Sequence, residues 1–168
     1  MRLERFDGYL AATGAVGLLW VMKRYSVTSY GPNHWTAEGL FNTVTRIRCF
    51  EAAREAIDGR INSAYRSPAI NKAVGGVPTS RHQRGLALDL RPGRIYTPES
   101  AARKLFELAS SGEIGRVHKV IEEPTWVHIS WRAINEPAHR LSLGRIPRNK
   151  ETLPPSERYT TLDRGPML

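Results

Sequence analysis

A single cysteine, Cys49, excludes an intrachain disulfide framework, so these 168 residues must be held by their own core, and cysteine usage gives no redox compartment. Cys49 lies in Thr43 to Phe50, which reads as an amphipathic helix where the thiol is a small buried hydrophobe or, as the alternative, an unpaired redox thiol. Long apolar runs are also missing. The best candidate, Gly8 to Met22, is shorter than the roughly 20 residues a bilayer requires and carries Gly8, Gly14 and Gly17. A cleavable signal is disfavoured too, because Glu4 and Asp7 dilute the basic start and Trp20-Val21-Met22 offers no small-residue cleavage site. Three uses stay open for this stretch: a helix packed on the body, a membrane-associated or uncleaved export segment, or a true signal. Acidic residues are scarce, 16 against 25 Lys and Arg, which gives a formal charge of +9. That charge favours polyanions, with anionic cell-wall polymers, anionic lipid and nucleic acid all eligible. No Cys/His finger, basic zipper or stacked-aromatic RNA-binding motif is present, so a specific nucleic-acid reader is not indicated.

What is present suffices for one core. At 40% hydrophobic residues the chain fits one domain with appendages. From Ala37 the apolar positions Leu40, Val44, Ile47, Ala52 and Ile57 recur at helical spacing, predicting one helix of about five turns that closes at Asp58-Gly59. Short strands are predicted over Ile61–Tyr65 and Leu86–Leu90, the second stopped by Pro92-Gly93. Thr97-Pro98-Glu99-Ser100 starts a helix with Thr97 as its cap. Val117–Glu122 and Trp126–Trp131 read as neighbouring strands joined across Glu123-Pro124-Thr125. Beyond Arg132 the chain is basic and interrupted by Pro137, Pro147, Pro154, Pro155 and Pro166, and reads as an extended arm ordered by a partner. The expected organisation is an N-terminal apolar segment over 1–34, a central domain over 35–132, and a basic Pro-rich extension over 133–168.

Chemistry concentrates in two segments, Ser80-Arg81-His82-Gln83-Arg84-Gly85-Leu86-Ala87-Leu88-Asp89 and Trp126-Val127-His128-Ile129-Ser130. Alternation along a strand turns Trp126, His128 and Ser130 to one side and Val127 and Ile129 to the core. Gly85 allows the tight turn that His82 and Asp89 need to converge. Imidazole and carboxylate are zinc donors, and three of them leave a fourth position for water. His34, His118 and His139 lie outside this pattern and receive no role.

These segments, with Ile61-Asn62-Ser63-Ala64-Tyr65-Arg66-Ser67-Pro68 and the loop through Ser80, closely resemble the M15 peptidases, D-alanyl-D-alanine carboxypeptidase-like zinc enzymes that include phage endolysins and cell-wall peptidases. The likeness covers about Trp35 to Arg132. It implies an α+β fold with a small antiparallel sheet packed against helices, zinc held by His82, Asp89 and His128, and hydrolysis of amide bonds in peptidoglycan stem peptides or cross-links. Arg66 corresponds to the family's active-site arginine, suited to a substrate carboxylate or a growing oxyanion. Many members carry an acid three residues before the last histidine, where this chain has Thr125. The general base is then Glu123 or, second, Glu122, since alternation lets only one face the cleft. Peptidoglycan is the implied partner, at the bacterial wall or periplasm, with a virion or membrane partner open to the two extensions. Two other uses of the same fold remain: a non-catalytic zinc-binding module, and a virion structural protein.

Overall fold

The computed structural model describes residues 15–26 and 31–167. One mixed sheet organises them. Its strands are β1 (Arg60–Ser63), β2 (Ala87–Arg91), β3 (Val117–Glu122), β4 (Val127–Trp131), β5 (Arg140–Arg145) and β6 (Thr160–Met167), arranged in the order β1-β2-β4-β3-β5-β6. The chain is thus α+β, but the sheet is not purely antiparallel as expected: β5 runs parallel to β3. The β3–β4 hairpin returns the chain to the end where β3 began, and the connection after Arg132 carries it to the free side of β3 rather than of β4. Entering there, β5 must run the same way as β3.

The described helices are α1 (Ala15–Arg24), α2 (Ala37–Val44), α3 (Ile47–Ala56), α4 (Pro68–Ala73) and α5 (Pro98–Ser110). The start of α5 follows its sequence signal: Thr97 accepts the amide of Ser100, Ser100 returns a bond to the Thr97 amide, and Pro98 occupies the first turn. This helix lies on β3 and β5 and buries Ala101, Ala102, Leu105 and Ala109. The opposite parity of β3, β4 and β5 is left for the site.

The single helix predicted from Ala37 is instead two, broken at Thr45-Arg46. The Thr45 hydroxyl donates back to the carbonyl of Phe41, and the Arg46 guanidinium turns inward to the Asn42 carbonyl and, at 2.6 Å, to the carbonyl of Arg132. Carbonyl oxygens make a buried guanidinium tolerable. The bend lets α3 present Ile47, Phe50 and Ala53 to the sheet while α2 keeps Gly39, Asn42 and Thr43 against the site loop. Cys49 is half-buried against the core, its thiol pushed up by burial, directly beneath Gly115.

Residues 1–14 lie outside the described part, and with them the first half of the apolar N-terminal run, up to Gly14. Its end is a packed helix: Val21 and Tyr25 are fully buried, whereas Leu19 is 65% exposed. Among the described residues no helix is long and apolar enough to cross a membrane. The C-terminal stretch is not a free arm. Leu141 and Leu143 of β5 are fully buried core residues, and β6 forms that edge of the sheet, with Pro166 on an outermost strand, where proline is tolerated.

An acid-sensitive clasp ties α1 to α3. Glu51 accepts from Arg24 at 2.8 and 2.9 Å, from Arg54 at 2.7 Å and from the Tyr25 hydroxyl. Burial opposes its ionisation, but these donors outweigh burial and hold its pKa down to about 2. Because the folded value lies below the unfolded one, the stabilisation is full above about pH 4.5 and is lost as pH falls toward 2. The unfolding free energy from denaturant titrations should therefore drop by roughly 2–3 kcal/mol more in the parent than in Glu51→Gln between about pH 6 and 2.5.

Candidate metal centre

Two strands and one turn bring the donors together. In the sheet register Ser63 lies opposite Asp89, Asp89 opposite His128, and His128 opposite Ile121, so a single row crosses β1, β2, β4 and β3. Partners in register share a face. His82 enters from the 3-10 turn Arg81–Arg84, which Gly85 closes in the left-handed conformation at φ +66. A Cβ at Gly85 would also stand 2.1 Å from the Gly39 carbonyl, so the turn can seat itself on α2 only with glycine there.

The donor atoms converge. His82 Nε2 is 3.2 Å from Asp89 Oδ1 and 3.3 Å from His128 Nδ1, and His128 Nδ1 is 2.9 Å from Asp89 Oδ1. Four-coordinate zinc with bonds of about 2.0–2.2 Å has ligand-to-ligand edges of roughly 3.3 Å, so the spacing suits such an ion. The proton inventory agrees. A carbonyl oxygen only accepts, so the 2.6 Å contact to Ala64 O makes His82 Nδ1 the protonated nitrogen and leaves the Nε2 lone pair facing the cluster. That lone pair faces an anionic carboxylate, a repulsive pairing that a cation between them relieves.

Charge states follow from the surroundings. Burial lowers the pKa of His82, favouring the neutral ring a metal needs. Burial also opposes ionisation of Asp89, but charge from His82 whenever that ring is protonated, with a hydrogen bond and charge from His128, outweighs it and holds that carboxyl well below the usual range. The second oxygen, Oδ2, is held by the Arg66 guanidinium, whose Nε donates to Ser63 Oγ at 2.7 Å. Arg66 thus orients Asp89 from outside the cluster, and its side chain keeps 16% exposure toward solvent.

The two acids at the end of β3 part company. Glu122 lies in register with Val127, on the α5 side of the sheet, and its carboxylate accepts from Arg145 at 2.8 Å. Glu123 follows the strand, anchored by its amide to the Trp126 carbonyl at 3.0 Å. It is 8% exposed, and its Oε2 is buried with no hydrogen-bond partner among the described residues. Burial raises its pKa, with Asp89 adding to the rise and Lys150 and His128 opposing it. Thr125 sits in the β3–β4 turn. Trp131 belongs to the core, its indole donating to the Ile114 carbonyl at 2.7 Å.

Sequence reasoning missed the clamp behind Arg66. Asn33 donates to the Tyr65 carbonyl at 2.8 Å and accepts the Ser67 amide at 2.7 Å, bracketing Arg66 from both sides. Tyr65 stacks on Trp35 at 4.1 Å and donates to the His34 carbonyl. In sequence these residues read only as a turn before a helix, and an asparagine in a turn carries no sign of a partner about thirty residues away.

The family model described as Peptidase M15 matches residues 30–130, more than half of the chain. No curated protein matches it.

Proposed function

The chain belongs to the peptidase M15 family, and on that premise we propose that it is a zinc-dependent peptidoglycan peptidase cleaving amide bonds of stem peptides or cross-links. The observation that carries this reading is the convergence of His82 Nε2, Asp89 Oδ1 and His128 Nδ1, the group of described side chains spaced to hold a metal ion. Zinc bound there would supply Lewis acidity, polarising a carbonyl and acidifying water. Glu123 is the proton acceptor in this scheme. Its buried oxygen, without a partner among the described residues, and its raised pKa suit a base that takes a proton and returns it to the leaving amine. Glu122 is already engaged by Arg145 and is set aside. Arg66 keeps Asp89 oriented and leaves part of its guanidinium free for a substrate oxygen. The wall substrate rests on the resemblance of the motif-bearing segments to cell-wall enzymes, with the basic charge suiting anionic wall polymers.

Digestion of purified peptidoglycan, read by mass spectrometry with and without a chelator, tests the proposal. New amine and carboxyl termini in stem peptides are expected, suppressed by chelation and restored by zinc. Intact muropeptides in the presence of zinc would instead favour the non-catalytic module.

A further inference from the structure

The row that carries Asp89 and His128 does not stop at β3. It continues from Ile121 to Gly144 on β5 and Thr161 on β6, and the neighbouring row runs from Ser130 through Lys119 and Ser142 to Arg164. Register places Lys119, Ser142 and Arg164 on the His128 side of the sheet, away from α5. Together with His118, Arg140 and Tyr159 they wall a cavity of about 560 Å³. A bulge between Val117 and Lys119 inserts His118 as an extra residue, so both His118 and Lys119 reach this side.

The wall is cationic and carries polar atoms without partners. Lys119, Arg140 and Arg164 line it, and no acidic side chain among the described residues does. Glu136, the acid that acts on His118, is already held by Arg81 at 2.9 Å and Arg84 at 2.6 Å. Tyr159 lies against Gly144 so closely that a Cβ there would stand 2.2 Å from its hydroxyl, and Lys119 Nζ sits 4.7 Å from its ring centre. The Tyr159 hydroxyl and His118 Nδ1 are buried with no hydrogen-bond partner among the described residues. Two buried orphan polar groups beside unpaired cations are a costly arrangement unless a ligand completes it.

We infer that this cavity is a second subsite, which binds a carboxylate of an acidic peptide laid across the sheet from the metal cluster. Two strand spacings, about 10 Å, separate His128 from β5, a reach of roughly three extended residues. The identity of that peptide as substrate rests on the peptidase reading. Most of the wall, Arg140 to Arg164, lies beyond the residues matched by the family model.

Titration of the full-length, isotopically labelled chain with acetyl-tri-glutamate tests the subsite, with acetyl-tri-glutamine and inorganic phosphate as controls. Saturable shifts are expected at the amides of Ser142, Thr161 and Arg164 with tri-glutamate and not with tri-glutamine. Tyr159→Phe keeps the ring over Gly144 and should weaken binding roughly five- to tenfold, as should Arg164→Met on the edge strand, with thermal midpoints near that of the parent. Equal binding of tri-glutamine, phosphate outcompeting the peptide, or unchanged affinity in both variants would overturn the inference. Binding is read here without hydrolysis. A chain that binds tri-glutamate at these residues but cleaves no wall peptide keeps the subsite and loses the peptidase reading, while a chain that cleaves yet fails the titration does the reverse.

Discussion

His128→Ala should abolish zinc retention and reduce muropeptide hydrolysis on the order of a thousandfold or more, because it removes one of only three donors and with it several kcal/mol of electrophilic assistance. The fold should survive. His128 is half-buried on the site face of β4, while the neighbours that fix the strand, Val127 and Ile129, are fully buried on the other side. Metal content by elemental analysis, activity and thermal midpoint separate the outcomes. Loss of metal and activity with the midpoint retained without metal is expected; a variant that keeps both metal and activity would remove His128 from the centre. Arg66→Lys makes a graded companion, since an ammonium cannot hold Asp89 Oδ2 and Ser63 Oγ at once as the planar guanidinium does. It should weaken zinc binding by about ten- to a hundredfold without removing a ligand.

Glu123→Gln should lower kcat by about 10² to 10⁴ while zinc content stays at the parental level, the pattern expected when a proton acceptor is lost and the metal site is not. Glu122→Gln breaks only a partly exposed pair with Arg145 and should leave kcat within about twofold and stability within about 1 kcal/mol. The pH profile adds a readout independent of magnitude. Burial raises the Glu123 pKa, and a base works only when ionised, so the acid limb of kcat/KM should fall above the ordinary carboxylate range and vanish in Glu123→Gln. Equal loss in both variants, or none in either, would move the base elsewhere.

Much of the site was legible because its information is local. The Thr97 cap, the strand from Ala87, and the pairing of Val117–Glu122 with Val127–Trp131 follow from turn chemistry and alternation within a few residues. The break at Thr45-Arg46 was not, because hydrophobic periodicity runs through it undisturbed, and what bends the chain is a guanidinium reaching a carbonyl at Arg132. The same limit hid the fate of the C-terminal stretch. Prolines and basic residues suggested an arm, yet Leu141 and Leu143 find their burial only once β3 stands beside them.

The choice between Glu122 and Glu123 marks the boundary most sharply. Residue types, spacing and resemblance by themselves pointed to the family, to three side chains that could hold a metal and to two acids of which one could face the cleft. What separates them is where β3 ends: Glu122 is still in the ladder, turned toward Arg145 and α5, and Glu123 has left it, its buried Oε2 without a hydrogen-bond partner among the described residues. A sequence records the order of side chains along a strand, but only the sheet register and the packing of α5 fix which side of that strand is core. The separation of these two carboxylates is a property of the tertiary structure alone.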